Sequence, residues 1–274
     1  MSYRKPFRKQ KDFKREDKPF DKERFNKNKP FVNDKRFDRE EPKFEKKLDF
    51  RIKPSNIFEV YEKDLGRKKI LLTKNLVPGK QVYGERLNKE SGEEFREWDP
   101  KRSKLAAAIL KGCPNVGIRK NDIVLYLGAA SGTTVSHVSD MIGKEGFVFA
   151  LDFAPRVVRE LVFVAEDRKN IAPILADANK PMTYADRICL ADVIYQDIAQ
   201  KNQVEIFFKN INIFLKKDGY ALLAVKARSI DVARKPKALF NEVKAELEKN
   251  ITIIDYRELD PFEMDHAMFI CKKK

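Results

Sequence analysis

From Ile123 to His137 the chain runs from an apolar segment through Tyr126-Leu-Gly-Ala-Ala-Ser-Gly-Thr-Thr into the first turns of a helix. Strand, glycine turn and helix within so short a span is the arrangement that cradles a nucleotide-like cofactor at the carboxyl end of a parallel strand. Gly128 and Gly132 let the backbone turn and come close to a ligand, and Thr133 and Thr134 are placed to cap the helix. The spacing lacks the three-glycine fingerprint of dinucleotide sites. S-adenosylmethionine has no pyrophosphate and asks for close backbone approach and hydroxyl partners more than for an anion hole, so this loop points to methyl transfer. Glycine turns after strands also arise for steric reasons alone, and the loop by itself leaves both readings open.

The segments that follow alternate. Apolar strand patterns fall near 123–127, 147–151, 171–175, 190–195, 219–225, 251–256 and 266–271, with helical stretches such as 204–215 and 236–249 between several of them. Phe240, Val243 and Leu247 give the second helix an apolar stripe. Alternation of this kind predicts an α/β fold with a mainly parallel sheet covered on both faces. Only Arg257 to Asp265 separates the last two strands, too little for a helical crossover, so they should close the sheet as an antiparallel hairpin.

Two other regions precede this domain, which is expected over 98–274 and to open with a helix over 101–110 capped at Asp99-Pro100. Residues 51–97 carry short apolar runs, Ile57 to Tyr61, Ile70 to Leu72 and Gln81 to Tyr83, that read as a small β-sheet domain packed on its neighbour. Residues 1–50 contain almost nothing aliphatic, yet Phe7, Phe13, Phe20, Phe25, Phe31, Phe37, Phe44 and Phe50 recur among charged residues. So little apolar surface cannot offset chain entropy, and a disordered basic tail is expected, either a tether whose rings stack on unpaired bases or a solubilising extension.

The net charge of +15 divides into +7 on residues 1–50 and +8 on the rest, so the folded part shares the excess. A polyanion is the first partner to consider, although basic surfaces also serve solubility. Cys113, Cys189 and Cys271 are odd in number and far apart, and His137 and His266 are the two histidines, which argues against a metal centre or a disulfide framework. No segment has the length and apolarity of a membrane span, and a soluble protein of a reducing compartment is expected.

Ligands of such sheets bind beyond the carboxyl ends of the parallel strands. Gly128 follows the first strand, Asp152 the second, Asp177 the third, Asp197 the fourth and Lys226 the fifth, while His266 begins the reversed final strand on the same edge. Asp152 is placed to accept hydrogen bonds from a ribose diol, Phe153 to pack on an adenine, and Asp177-Ala178 to meet the adenine edge. Lys226 should emerge from a partly buried position, with Asp197 as its natural partner. Lys104, early in the helix before the first strand, can reach the same edge; it clusters with Lys101 and Arg102 near a helix start, where cations are disfavoured, which suits a phosphate-binding or catalytic role. Each of these is also explained as a loop carboxylate, a core aromatic or a solvated lysine.

Read together, Glu97-Trp-Asp-Pro-Lys-Arg-Ser-Lys-Leu-Ala-Ala-Ala108, Tyr126 to His137, Tyr195 to Gln200, Val225-Lys-Ala-Arg-Ser-Ile-Asp231 and Asp265-His-Ala267 resemble the fibrillarin family, most closely its archaeal form. The resemblance covers about 51–274. It implies a Rossmann-like S-adenosylmethionine methyltransferase fold, a seven-stranded mostly parallel sheet preceded by the small β-sheet domain. It implies methylation of the ribose 2′-hydroxyl of rRNA or tRNA, directed by box C/D guide RNA in a particle with a Nop-domain scaffold protein and a kink-turn-binding ribosomal-protein homologue. A catalytic Lys, Asp, Lys, His tetrad then maps onto Lys104, Asp197, Lys226 and His266, with Gly128, Ala130, Thr133, Thr134, Asp152, Phe153, Asp177, Ala178, Asp197 and Gln200 around the cofactor and no metal. A cytoplasmic protein is implied. The chain departs from the family at Asp152, where many members carry Glu, and in its tail, which replaces a Gly/Arg-rich segment, so nucleolar targeting does not carry over. Rival readings are a methyltransferase acting on protein or a small molecule, a noncatalytic RNA-binding subunit and, with its fingerprint missing, a dinucleotide oxidoreductase.

Overall fold

The computed structural model describes residues 51–66 and 68–274. The tail expected over 1–50 lies outside the described residues.

Five short antiparallel strands come first, β1 (Ile52–Pro54), β2 (Val60–Asp64), β3 (Lys69–Lys74), β4 (Leu87–Glu90) and β5 (Glu93–Trp98), in the order β1-β2-β3-β5-β4. Gln81 to Tyr83, expected as a strand, is instead a turn. The Glu85 carboxylate accepts the backbone N–H groups of Val82 and Tyr83 at 2.8–3.1 Å, which replaces ladder hydrogen bonds with side-chain ones. The strand that takes its place, β5, reads as Glu-Glu-Phe-Arg-Glu-Trp, too charged to suggest a half-buried segment. Its Arg96 is nevertheless fully buried, because Glu85 and Asp140 accept from the guanidinium at 2.6 and 2.8 Å.

The seven-stranded sheet is built from β6 (Ile123–Leu127), β7 (Phe147–Asp152), β8 (Ile171–Leu175), β9 (Ala191–Gln196), β10 (Leu215–Lys226), β11 (Thr252–Glu258) and β12 (His266–Lys272), in the order β11-β12-β10-β9-β6-β7-β8. Strands β6 to β10 run parallel to their neighbours among themselves, whereas β12 is antiparallel to both β10 and β11, the reversed hairpin expected from the short 259–265 connection. The helices are α1 (Lys104–Leu110), α2 (Thr133–Ile142), α3 (Pro155–Asp167), α4 (Gln203–Phe214), the short α5 (Ala227–Ile230) and α6 (Pro236–Asn250).

Alternation along β6 divides the apolar core in two. Val124 and Tyr126 join the cluster under α1, α2 and α3, and Leu125 and Leu127 join the one under α4 and α6. Ile57, Val60, Leu71 and Trp98 of the small sheet belong to the first cluster, so the two sheets share one apolar mass. Each fully buried leucine or isoleucine there contributes roughly 1.5–3 kcal/mol. A polar seam reinforces the contact. Asp140 of α2 accepts from Arg96, Thr73 and Arg168, and buried His137 stacks on Trp98 at 4.7 Å while meeting the hydroxyls of Thr73 and Tyr83 at 2.7 and 2.8 Å.

The helix before β6 starts three residues later than expected. Ser103 is its cap, accepting from the Ala106 N–H at 3.3 Å, while Asp99 closes a local turn by accepting from the Lys101 N–H at 2.9 Å. Thr133 and Thr134 likewise lie within the first turn of α2 and not at its cap, which is Gly132 in the left-handed conformation. The Thr134 hydroxyl donates to Ser103 Oγ at 3.0 Å and so ties the first turns of α1 and α2 together.

Candidate active site

The carboxyl edge of the parallel strands collects the polar residues that the sequence suggested. The chain leaves β6 at Gly128, whose N–H, with that of Ala129, donates to the Leu151 carbonyl at 2.9 and 3.0 Å. Gly128 has φ of +85°, and a Cβ there would lie 2.2 Å from the carbonyl oxygen of Asp197. Gly132, at φ of +96°, would drive a Cβ to 2.9 Å from Leu161 Cδ1. A Cβ at either glycine would therefore meet the chain itself: the glycines let the Asp197 loop and α3 come close to the turn.

Asp152 ends β7 almost fully buried. Its Oδ2 accepts from the Ala130 N–H at 2.9 Å and its Oδ1 from the Ala154 N–H at 3.0 Å. One carboxylate thus braces the glycine turn and the start of α3, and holds Ala130 at φ of +46°, a conformation an alanine adopts only under constraint. Phe153 beside it is 67% exposed, a large ring held in solvent at the rim. Asp177 follows β8 half-buried, its Oδ1 accepting from the Asn179 N–H, and Ala178 is buried with its carbonyl held by Asn210. Gln200 sits half-buried in the loop after β9.

Asp197 follows β9, anchored by its own N–H to the Leu127 carbonyl at 2.8 Å. Its carboxylate pairs with Lys104 Nζ at 3.0 Å, and not with Lys226 as the sequence reading had it. The reason lies in α1, whose first residue, Lys104, is largely buried against the loop after β9. Lys226 ends β10 with an exposed side chain, a second departure from the partly buried position expected of it. In the antiparallel register Lys226 is the direct cross-strand partner of His266, which places both at one end of the hairpin.

The His266 Nδ1 lies 2.6 Å from the Met264 carbonyl. A carbonyl only accepts, so Nδ1 carries the proton and Nε2 keeps the lone pair. Burial holds the ring below the ordinary histidine value, Lys104 adds to the effect, and the Met264 carbonyl and Asp197 oppose it. Asp265 before it stands at φ of +58° and its carboxylate is held by Arg228 at 2.9 Å, so a second constrained backbone position borders the site.

Two features went unread in the sequence. Glu263 projects from the hairpin connection, its Oε2 4.0 Å from His266 Nδ1. Burial pushes its carboxyl up; Asp197 and Asp99 push the same way, while Lys104 and Lys226 pull against them. Glu263 thus stands within the field of the same three ionisable groups as His266, and its three-residue offset from that histidine was the available signal. Beneath Asp197, the cross-strand neighbours Tyr126 and Tyr195 form a fully buried edge-to-face pair with centroids 4.5 Å apart. Burial, with Asp197 adding to it, raises both phenols well above their ordinary value. They stand as neutral phenols in the apolar core under α1 and α2.

Among the described residues there is no group of histidine, cysteine, aspartate and glutamate side chains that could hold a metal ion. No helix among them is long and apolar enough to cross a membrane.

The arrangement has close counterparts. The Fibrillarin family model matches residues 52–274. The fibrillarin-like rRNA/tRNA 2′-O-methyltransferase of Pyrococcus abyssi is 53% identical over 210 residues, 77% of this chain and 92% of that protein. The crystal structure of Aeropyrum pernix fibrillarin in complex with natively bound S-adenosyl-L-methionine superposes with a TM-score of 0.75 at 45% identity, covering 81% of this chain and 97% of that one. A fibrillarin/Nop5p complex contains a chain that superposes with a TM-score of 0.72 at 40% identity, covering 80% of this chain and 99% of that one. Likeness of this extent, running through both sheets and every strand end just described, makes this chain a member of the fibrillarin family.

Proposed function

We propose that this protein transfers a methyl group from S-adenosylmethionine to the ribose 2′-hydroxyl of rRNA or tRNA, in the cytoplasm, within a particle that holds a box C/D guide RNA, a Nop-domain scaffold and a kink-turn-binding protein. The observation that carries the reading is the ion pair between Lys104 and Asp197 at the strand edge where Lys226 and His266 are cross-strand partners, one loop away from the glycine turn. The relatives' names and the bound cofactor of the Aeropyrum pernix protein support the same chemistry.

The residues present suit the cofactor. Asp152 keeps acceptor capacity on both oxygens for a ribose diol, since a carboxylate offers more lone pairs than the two backbone contacts consume. Phe153 offers an exposed ring for an adenine, and Asp177 a carboxylate near its edge. Gly128, Ala130, Thr133, Thr134, Ala178 and Gln200 complete the surrounding wall. When bound, S-adenosylmethionine supplies an activated methyl group on a sulfonium.

The protein's task is then alignment and help with the proton of a weakly acidic hydroxyl. Asp197, held by Lys104, accepts the hydrogen bond of the incoming 2′-hydroxyl and fixes its direction. Lys226 stabilises negative charge developing on the ribose oxygen. His266, with its proton committed to the Met264 carbonyl, presents Nε2 as a second acceptor at the same edge. Methyl transfer in the reassembled particle tests the scheme, with calorimetry reporting cofactor binding. Asp197→Ala and Lys226→Ala should each abolish most guide-directed methylation with RNA binding retained. Wild-type methylation by either variant would overturn the assignment. Cofactor binding without any guide-dependent ribose methylation would point to a protein or small-molecule substrate.

A further inference from the structure

We propose that the groove between the small sheet and the approach to α1 is the track for the RNA strand that continues past the acceptor nucleotide. This rests on the methyl-transfer reading above and adds the surface that grips the substrate's backbone. The groove has a volume of about 600 Å³ and is walled by the 83–86 turn, the ends of β3 and β5, the 99–102 loop and Phe262.

Charge argues for a polyanion. Lys68, Lys69, Arg86, Lys101 and Arg102 line the groove against Glu85, Glu97 and Asp99. Glu85 is compensated by Arg96 at 2.6 Å, whereas Glu97 and Asp99 accept only from neutral donors, Asn88 Nδ2 at 3.2 Å and the Lys101 N–H, and keep their charge against the cations. Of the bases, Lys69 is paired with Glu62 at 3.2 Å and Arg102 lies over the Tyr83 ring at 5.6 Å. Lys68, Arg86 and Lys101 are exposed, and among the described residues none of them has a carboxylate at ion-pair distance. Three unpaired cations along one concave wall suit successive phosphates, which bind by charge without regard to sequence. In the neighbouring cavity at Ser131 and Phe163, Lys80 pairs with Asp167 at 3.5 Å and Arg168 with Asp140 at 2.6 Å, which leaves Arg102 opposite Glu160.

Position argues for the substrate strand in particular. Phe262 lines the groove and is followed in the chain by Glu263, whose Oε2 lies 4.0 Å from His266 Nδ1. Lys101 stands three residues before Lys104, in the loop that leads into α1. The groove lining therefore adjoins the ionisable cluster twice, through Phe262 next to Glu263 and through the loop that leads to Lys104. A polynucleotide with one ribose at that cluster has to run off across the adjoining surface, and this is the wall that carries the positive excess.

The test uses the full chain in the reassembled particle. With 4-thiouridine placed at nucleotides flanking the target, photocrosslinks should map to peptides containing residues 83–86 and 98–102. The triple variant Lys68→Ala, Arg86→Ala, Lys101→Ala should raise KM for the RNA roughly tenfold at moderate salt and lower the slope of log KM against log salt by about 2–3, with S-adenosylmethionine affinity unchanged. Unchanged KM and slope, with guide-dependent methylation intact, would overturn the groove and leave methyl transfer standing. Loss of Nop-domain binding by the variant with crosslinks in place elsewhere would also overturn it, making the groove a protein dock. Absence of methylation by the unsubstituted particle would instead remove the underlying reading.

Discussion

Lys104 Nζ lies 3.0 Å from Asp197 Oδ2, joining the first turn of α1 to the loop after β9 across 93 residues of sequence. Both side chains are about four-fifths buried, at 20% and 22% exposure. An ion pair so placed is screened less than a surface pair, and it fixes the carboxylate's direction where a flexible side chain would leave it free.

Lys104→Ala should therefore lower methyl transfer by about a hundredfold or more through misdirection of Asp197, a magnitude in the range of general acid–base contributions. Calorimetric affinity for S-adenosylmethionine should stay within a few-fold. Single-turnover rates in the reassembled particle measure the first effect. A loss of less than twofold would show that the pair serves only stability.

Gly128 and Gly143 make a controlled comparison. Both stand at positive φ, +85° and +76°, but a Cβ on Gly128 would meet the Asp197 carbonyl at 2.2 Å, while one on Gly143 would meet nothing within 4 Å. Gly143→Ala should cost about 1–3 kcal/mol, from forcing an alanine into the glycine conformation at φ of +76° and ψ of −175° alone. Gly128→Ala should cost about 2–4 kcal/mol and displace the Asp197 loop. Urea unfolding of the two variants checks the order, and equal losses would refute the close-approach argument.

The buried seam between the sheets should be sensitive to removal of one charge. Arg96 is fully buried against Glu85 and Asp140, and Arg168 is 2% exposed with its own contact to Asp140 at 2.6 Å. Arg96→Met leaves Glu85 unpaired in the interior and should destabilise the fold by about 3–5 kcal/mol, measured by denaturant midpoint. A loss under 1 kcal/mol would mean that water reaches the carboxylate.

Acid should loosen the same seam. His137 is buried, and burial together with Arg96 and Arg168 holds it well below the ordinary histidine value; His266 is lowered by burial and then by Lys104. A folded-state pKa below the unfolded one means that the unfolded chain binds more protons, so stability is full above about pH 6.5 and is lost as the pH falls through that value. Glu263, raised chiefly by burial, has the opposite sign and gains a proton on folding as the pH falls, which offsets part of the loss. Denaturant midpoints should fall from pH 7.5 to 5.5, with His137 contributing a slope that approaches about 1.4 kcal/mol per pH unit and His266 adding in the same direction. A midpoint that rises on acidification would contradict the neutral state of His137.

Local chemistry made much of the fold legible. Runs such as Ile123 to Leu127 and Tyr220 to Val225 are strands because continuous apolar segments of that length suit a sheet covered on both faces, and the short 259–265 connection between the last two strands admits only a hairpin. The same logic put Gly128, Asp152, Asp177, Asp197, Lys226 and His266 on one edge, since each follows or begins a strand whose direction the topology dictates. Tertiary packing decided the rest. Strand β5 was hidden because a buried arginine reads as surface until its partners, Glu85 and Asp140, arrive from a distant turn and a helix. The choice of Lys104 over Lys226 for Asp197, the admission of Glu263 to the site, and the demand for glycine at 128 all depend on where α1, the hairpin connection and the Asp197 loop come to rest. Sequence period states which face or edge a side chain occupies; which of several like charges wins a partner is a matter of ångströms, and those distances exist only once the layers have packed.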